Sequence, residues 1–236
     1  MKTWFEKKFN KHSASLKKIR PKNIFPKFNL SYSNTIILIN VLFFIFVIIL
    51  MNLFDNLNIF SWVALNPSKI LSGKTLWTFV TSMFMHGGFG HLFANMISLM
   101  FIGNFVEKLI GKKRFLGLYF VGGLFAALFF ILISFITKNG LDISIIGASG
   151  AIFALGGLLA VLTPKLPVLV FFVIPLPMWA AMVFLMFGLW AISNSFGLPI
   201  GNIAHLGGLI VGVSYGLFLK KKYPGKTKMI SKYFTR

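Results

Sequence analysis

The chain of 236 residues is 57% hydrophobic and 12% charged, with a mean hydropathy of +0.83 and a formal net charge of +20 at pH 7. A soluble domain needs more polar surface than this to stay wetted, so the composition excludes a soluble globular protein and indicates a polytopic membrane protein. Cysteine is absent, which removes disulfides, thiolate metal sites and a cysteine nucleophile from consideration.

Residues 1–34 form a basic segment. It does not read as a cleavable signal, because the basic lead is long, the apolar run after it can span a bilayer and no small-residue cleavage site follows; the first apolar run is read as a retained anchor. Apolar runs at 35–54, 90–110, 115–137, 147–163, 177–193 and 203–219 each approach the ~20 residues that cross ~30 Å of hydrocarbon. The predicted fold is therefore all-α, with six transmembrane helices in one domain over 35–220. The fifth helix starts near Pro177, where proline is tolerated in a first turn, and Val168–Ile174 is left at the membrane face. The first loop, 55–83, carries Phe60, Trp62, Trp77 and Phe79; it is too apolar for a free solvent loop and is read as interfacial. Residues 194–202 have the glycines and the aromatic of a movable cap, or of a plain connector. A basic tail, 221–236, ends the chain. No solenoid repeat or low-complexity tract interrupts it.

Twenty-one of the 24 Lys and Arg fall in the two termini and in alternate loops, and only Lys69, Lys74 and Lys138 fall in the others. The positive-inside rule reads this as both termini in the cytoplasm, in keeping with an even number of spans, most simply in a cell membrane. The same distribution assigns the basic ends to anionic lipid head groups and leaves no need for nucleic acid as a partner.

With that orientation, spans two, four and six run from outside to inside, and His91, Ser149 and His205 each fall within a turn or two of a span's start, in the outer half of the membrane. Polar side chains are costly at that depth and mark functional sites. Unpaired N–H groups and the positive dipole end favour developing negative charge at such helix starts. Serine becomes a nucleophile when a base takes its proton, and histidine is the usual base. Ser149 and His205 fit that pair if spans four and six approach closely. Gly150, Ala154 and Gly157 on one span, and Ala204, Gly208 and Gly212 on the other, are small-residue stripes that allow it, although both would also serve as ordinary packing seams.

Gly147-Ala148-Ser149-Gly150, His91-x-x-x-Asn95 and Ala204-His205-x-x-Gly208, in this order on spans two, four and six, resemble the signature of rhomboid intramembrane serine proteases; Gly103-x-x-x-Glu107-x-x-x-Gly111 is similar to a further family element. The resemblance covers about 35–220. It implies a rhomboid-like six-helix bundle and a Ser-His dyad without an acid or a cofactor. Ser149 would attack the scissile carbonyl of a transmembrane protein substrate, and His205 would act as base and then acid. An oxyanion hole would be formed by His91, the Asn95 amide and the Ser149 backbone N–H; His91 and Asn95 share a helix face and both can donate. Such donors contribute about 3 kcal/mol each in a preorganised site. The active site would open to the outer side.

His86, Gly147 and Phe153 are candidates to line the cavity, and Met85-His86-Gly87-Gly88 reads equally as the turn leading into span two. Glu107 is read as a structural anchor for loop backbone or for Lys and Arg in 112–114. The acids Glu6, Asp55, Glu107 and Asp142 offer no evident third member of the dyad. A zinc site is disfavoured, since a spacing of five puts His86 and His91 on different helix faces and no His-Glu-x-x-His run occurs. The chain departs from the family at Leu76-Trp77-Thr78, where many members have Trp-Arg, and at Phe153, where many have tyrosine. Two other readings stand beside the protease: a catalytically silent relative that binds transmembrane helices, and a transporter using His91 and His205 as proton relays. The latter calls for acids within the spans, inverted repeats or broken helices, none of which is clear.

Overall fold

The computed structural model describes residues 31–54, 56–171, 173–196 and 201–234. The basic segment before residue 31 lies outside the described residues, as do Asp55 and the middle of the 194–202 connector.

Helix α1 spans Tyr32–Leu53, and the Ser31 hydroxyl caps it by accepting the N–H of Asn34 at 3.0 Å. Its residues are apolar on every side, yet only a stripe through Ile36, Asn40, Phe44 and Val47 is buried, so most of its surface is left for lipid. The first loop is ordered by three short helices, α2 (Phe60–Val63), α3 (Pro67–Leu71) and α4 (Thr78–Thr81). Trp62 and Trp77 stack at 5.7 Å, with the Trp77 indole N–H donating to the Trp62 carbonyl at 2.8 Å. Leu65 and Ile145 exchange backbone hydrogen bonds of 3.1 and 2.8 Å, and the Ser68 hydroxyl donates to Asp142 at 2.9 Å. These bonds tie the loop to the segment that leads to Ser149.

The second span comprises α5 (Phe89–Ser98), a π-helical turn over Leu99–Gly103, and α6 (Asn104–Ile110). A π turn frees a carbonyl from the ordinary ladder. Here the Leu99 carbonyl accepts the Ser33 hydroxyl at 2.9 Å. A Cβ at Gly103 would overlap that same hydroxyl, so the glycine is what lets α1 come this close. Three residues after the turn's end Val106 is fully buried, and Glu107 beside it is 6% exposed. The Glu107 carboxylate accepts the backbone N–H of Tyr32 at 3.1 Å and of Ser33 at 2.8 Å. It anchors the N-terminus of the first span, where a negative charge complements the helix dipole; of the two anchorages considered from sequence it takes backbone, though from the first span and not from a nearby loop.

Helix α7 (Lys112–Thr137) and the short α8 (Ser149–Leu162) follow. At 14 residues α8 is only ~21 Å long, below the hydrocarbon thickness. It lies at the centre of the bundle and is buried on almost every side. After it, Pro167–Val170 (β1) pairs antiparallel with Ile174–Pro177 (β2), Val168 opposite Leu176 and Val170 opposite Ile174. The segment left without structure in the sequence reading is thus a hairpin, and prolines are tolerated because each strand has a single partner. Helix α9 runs Met178–Phe196, one residue after Pro177; α10 is Asn202–Lys222 and α11 is Pro224–Tyr233. Residues 194–196 therefore close α9 and Asn202 opens α10.

Five of these segments are long and apolar enough to cross a membrane, and α8 is a sixth, shorter apolar helix. The molecule is an all-α, multi-pass membrane bundle apart from the one hairpin. Its core is the packing of α8 against α10 and α7. A Cβ at Gly208 would fall on the Gly150 carbonyl, and one at Gly212 on the Ala154 carbonyl. On the other side a Cβ at Gly122 would overlap the Ala154 methyl, and one at Gly207 would lie 2.8 Å from the Phe129 Cβ. The small-residue stripes meet face to face, backbone on backbone.

Candidate active site

Ser149 is the first residue of α8, and Gly147 before it has φ +119°, a conformation that strongly favours glycine. The Gly147 N–H donates to the Ser82 carbonyl at 2.8 Å, which fixes the approach to the helix. Ser149 thereby sits where the first N–H groups of α8 have no intrahelical acceptor. His205 lies one turn inside α10 and is 6% exposed. Because Gly208 rests on the carbonyl of Gly150, the two helix starts are in register, and the His205 Nε2 is 2.8 Å from the Ser149 Oγ.

The His205 imidazole lies flat on Phe153, ring centroids 4.5 Å apart and planes 10° from parallel. Phe153 is one turn after Ser149, so the residue that orients the imidazole is carried by the same helix as the hydroxyl. The His205 Nδ1 finds no hydrogen-bond partner among the described residues. Asp142 is engaged with Ser68, and Glu107 with the start of α1. Among the described residues no carboxylate contacts the histidine.

His91, in the first turn of α5, accepts the Gly87 N–H on Nδ1 at 3.3 Å. An acceptor at Nδ1 puts the ring proton on Nε2. That nitrogen faces Gly147: a Cβ built there would lie 3.0 Å from it and 3.7 Å from the Ser149 Oγ. The proton-bearing edge of His91 thus borders the same space as the serine hydroxyl. Asn95, buried one turn later, donates one amide hydrogen to the His91 carbonyl at 2.8 Å. Its second amide hydrogen meets no acceptor among the described residues.

His86 is 1% exposed and lies in the turn that ends at Gly88, before α5 begins. A spacing of five would put His86 and His91 on different faces of one continuous helix, but the helix that carries His91 begins at Phe89, after His86. The rings meet edge to face at 5.1 Å because the chain turns between them. The other flank of His86 is Phe44 of α1, at 6.5 Å. Among the described residues no three His, Asp or Glu side chains gather in a metal-holding group.

Sequence reasoning did not single out the Gly87 N–H or the Ser82 carbonyl, each of which orients a site residue through its backbone. Gly87 was visible only as part of a turn. Nothing in the identity of Ser82 announces a role for its carbonyl.

The family model of the Rhomboid domain matches residues 73–222. RHOMBOID-like protein 5 of Arabidopsis thaliana is 34% identical over 150 residues, which is 62% of this chain and 46% of the relative. Rhomboid protein 1, mitochondrial, of Saccharomyces cerevisiae is 32% identical over 147 residues, 60% of this chain and 41% of the relative. Inactive RHOMBOID-like protein 8 of Arabidopsis thaliana is 36% identical over 72 residues, 30% of this chain and 19% of the relative. The chain spans less than half the length of these curated relatives. The half-buried Ser149 and the buried His205, held at the heads of two interlocked apolar helices, stand within the matched domain, and the chain belongs to the rhomboid family, with the fold of an intramembrane protease.

Proposed function

We propose that the protein is an intramembrane serine endopeptidase that hydrolyses a peptide bond in or beside the transmembrane segment of a membrane-protein substrate. The observation that carries this reading is the 2.8 Å approach of the His205 Nε2 to the Ser149 Oγ. The neutral imidazole accepts the hydroxyl proton at Nε2 as Oγ attacks the scissile carbonyl. The imidazolium then gives that proton to the leaving amine, the C–N bond breaks and an acyl-enzyme remains. Water, deprotonated by the same nitrogen, attacks the ester; the C–Oγ bond breaks, the imidazolium returns its proton to the Ser149 Oγ and the acid is released. Stacking on Phe153 holds the ring in plane throughout, in the place of an orienting carboxylate.

The negative charge that develops on the carbonyl oxygen falls to the Ser149 N–H, the His91 Nε2–H and the free hydrogen of the Asn95 amide. Preorganised donors in a site shielded from bulk water stabilise such a charge without reorganising. A helical substrate hides its carbonyls in its own hydrogen bonds, so it must unwind locally at the cut. The charge pattern supports an orientation with both termini in the cytoplasm and the Ser149 end of the bundle outward; the mitochondrial relative keeps other membranes in view.

The rival reading is a silent relative that binds transmembrane helices, and the match to an inactive family member gives it substance. Cleavage of a panel of fluorescent single-span substrates by purified protein, beside folded Ser149→Ala and His205→Ala variants, separates the two. Activity lost in both variants supports the protease. Absence of cleavage, together with failure of a fluorophosphonate probe to label Ser149, would move the silent relative to the front.

A further inference from the structure

The end of the bundle away from Ser149 holds a cavity of about 160 Å³. Its floor is apolar, built from Leu109 at the end of α6, Leu162 at the end of α8 and Leu219 near the end of α10. Its rim is Arg114 of α7, then Tyr223 and Lys226 where α10 passes into α11, with the buried Thr227 also in the lining. The Tyr223 ring gathers three cations: Arg114 and Lys226 each at 5.8 Å from its centroid and Lys222 at 5.7 Å.

Among the described residues no carboxylate is paired with Arg114, Lys222 or Lys226. The acids outside the described residues are Glu6 and Asp55; of the other two, Glu107 is spent on the N–H groups of Tyr32 and Ser33, and Asp142 receives Ser68. The first turn of α7 is Lys112-Lys113-Arg114 and the first turn of α11 contains Lys226, with no acid in either. Cations at the positive end of a helix dipole are unfavourable, and three around one ring repel each other. An anion at the rim would remove both costs.

We infer that this cavity binds the phosphodiester head group of an anionic lipid, with Arg114 and Lys226 as the charged ligands and Tyr223 between them. Guanidinium and ammonium groups recognise phosphate oxygens, Arg in a bidentate fork and Lys as a point charge. The choice of a lipid over a free anion follows from the floor and the place. The cavity lies where α6, α8 and α10 all end, at one face of the membrane bundle, and its base is leucine. Basic pockets between membrane helices at a bilayer face are suited to acidic head groups. This site is independent of the chemistry proposed for Ser149.

The test is native mass spectrometry of the full chain in neutral detergent, titrated with phosphatidylglycerol, phosphatidylcholine or inorganic phosphate. Phosphatidylglycerol is expected to bind at least about tenfold more tightly than phosphatidylcholine. The Arg114→Gln/Lys226→Gln variant is expected to lose about tenfold of that affinity. Both side chains are exposed, so the variant should fold, which its unchanged melting temperature would verify. Lys108→Gln/Lys221→Gln removes the same charge near the same end but outside the cavity, and should leave binding within about twofold. Equal binding of the two lipids, equal loss in both double variants, or inorganic phosphate binding as tightly as the lipid would each overturn the assignment.

Discussion

Asn95 donates one of its two amide hydrogens to the carbonyl of His91, one turn earlier on the same helix, at 2.8 Å. The bond fixes the plane of the amide and so fixes where the second hydrogen points. If that hydrogen serves the oxyanion, Asn95→Ala should lower kcat about 10²-fold and leave KM nearly unchanged. Asn95→Asp is the sharper test. It keeps the size, removes the donor and places a carboxylate beside a developing negative charge, so its kcat should fall below that of the alanine variant. Steady-state kinetics on one substrate decide the matter. An aspartate variant with parental kcat would reduce Asn95 to a bond within its own helix.

The contact of Gly208 with the Gly150 carbonyl sets the distance between the helices that carry Ser149 and His205. Gly208→Val should push α10 off α8, lower the melting temperature and cut activity at least about tenfold, since overpacking costs about 1–3 kcal/mol before any chemistry is considered. Gly188→Ala is the matched control. It lies within α9, where a Cβ meets nothing within 4 Å, and it should be neutral or gain up to about 1 kcal/mol from helix propensity. Thermal unfolding in detergent, read beside turnover, distinguishes spacing from helix propensity.

These two residues also show what can be read without a structure. The small-residue stripes through Gly150 and Gly208 were visible because fourfold spacing is a property of sequence, and the six apolar runs were visible because length and hydropathy decide who crosses a bilayer. The hairpin at 167–177 was not, because a short apolar run between prolines has no period that separates strand from extended chain. The π turn at Leu99–Gly103 was not, because the hydroxyl that stabilises it comes from Ser33, 66 residues earlier. Likewise the protonated edge of His91 is chosen by the N–H of Gly87, and a backbone donor leaves no mark in residue type.

Glu107 offers a test of architecture apart from chemistry. Its two oxygens receive the N–H groups of Tyr32 and Ser33, and it lies at the far end of the second span from His91. Glu107→Ala strands the buried Ser33 N–H and the part-buried Tyr32 N–H and should cost about 1–3 kcal/mol of stability. Glu107→Gln keeps one acceptor oxygen and loses the charge at a helix N-terminus, for about 1 kcal/mol. Both variants should unfold at lower temperature while turning over at near-parental kcat below that temperature. A kcat loss in a fully folded Glu107→Gln protein would contradict a purely structural anchor.

Phe153 combines two roles that substitution can separate. The ring fills space beneath His205 and is itself buried, and its flat face sets the plane of the imidazole at 4.5 Å. Phe153→Ala empties that space and should cost about 3–5 kcal/mol, so its loss of activity alone would say little. Phe153→Leu keeps much of the volume without the π face; it should stay within about 1.5 kcal/mol of the parent while kcat falls several-fold, the stack itself being worth about 0.5–1.5 kcal/mol. Phe153→Tyr keeps the face and adds a hydroxyl, and should retain kcat within a few-fold. With melting temperature and kcat measured together, a leucine variant as active as the parent would mean that the ring only fills the core and that the plane of His205 is set by α10 alone.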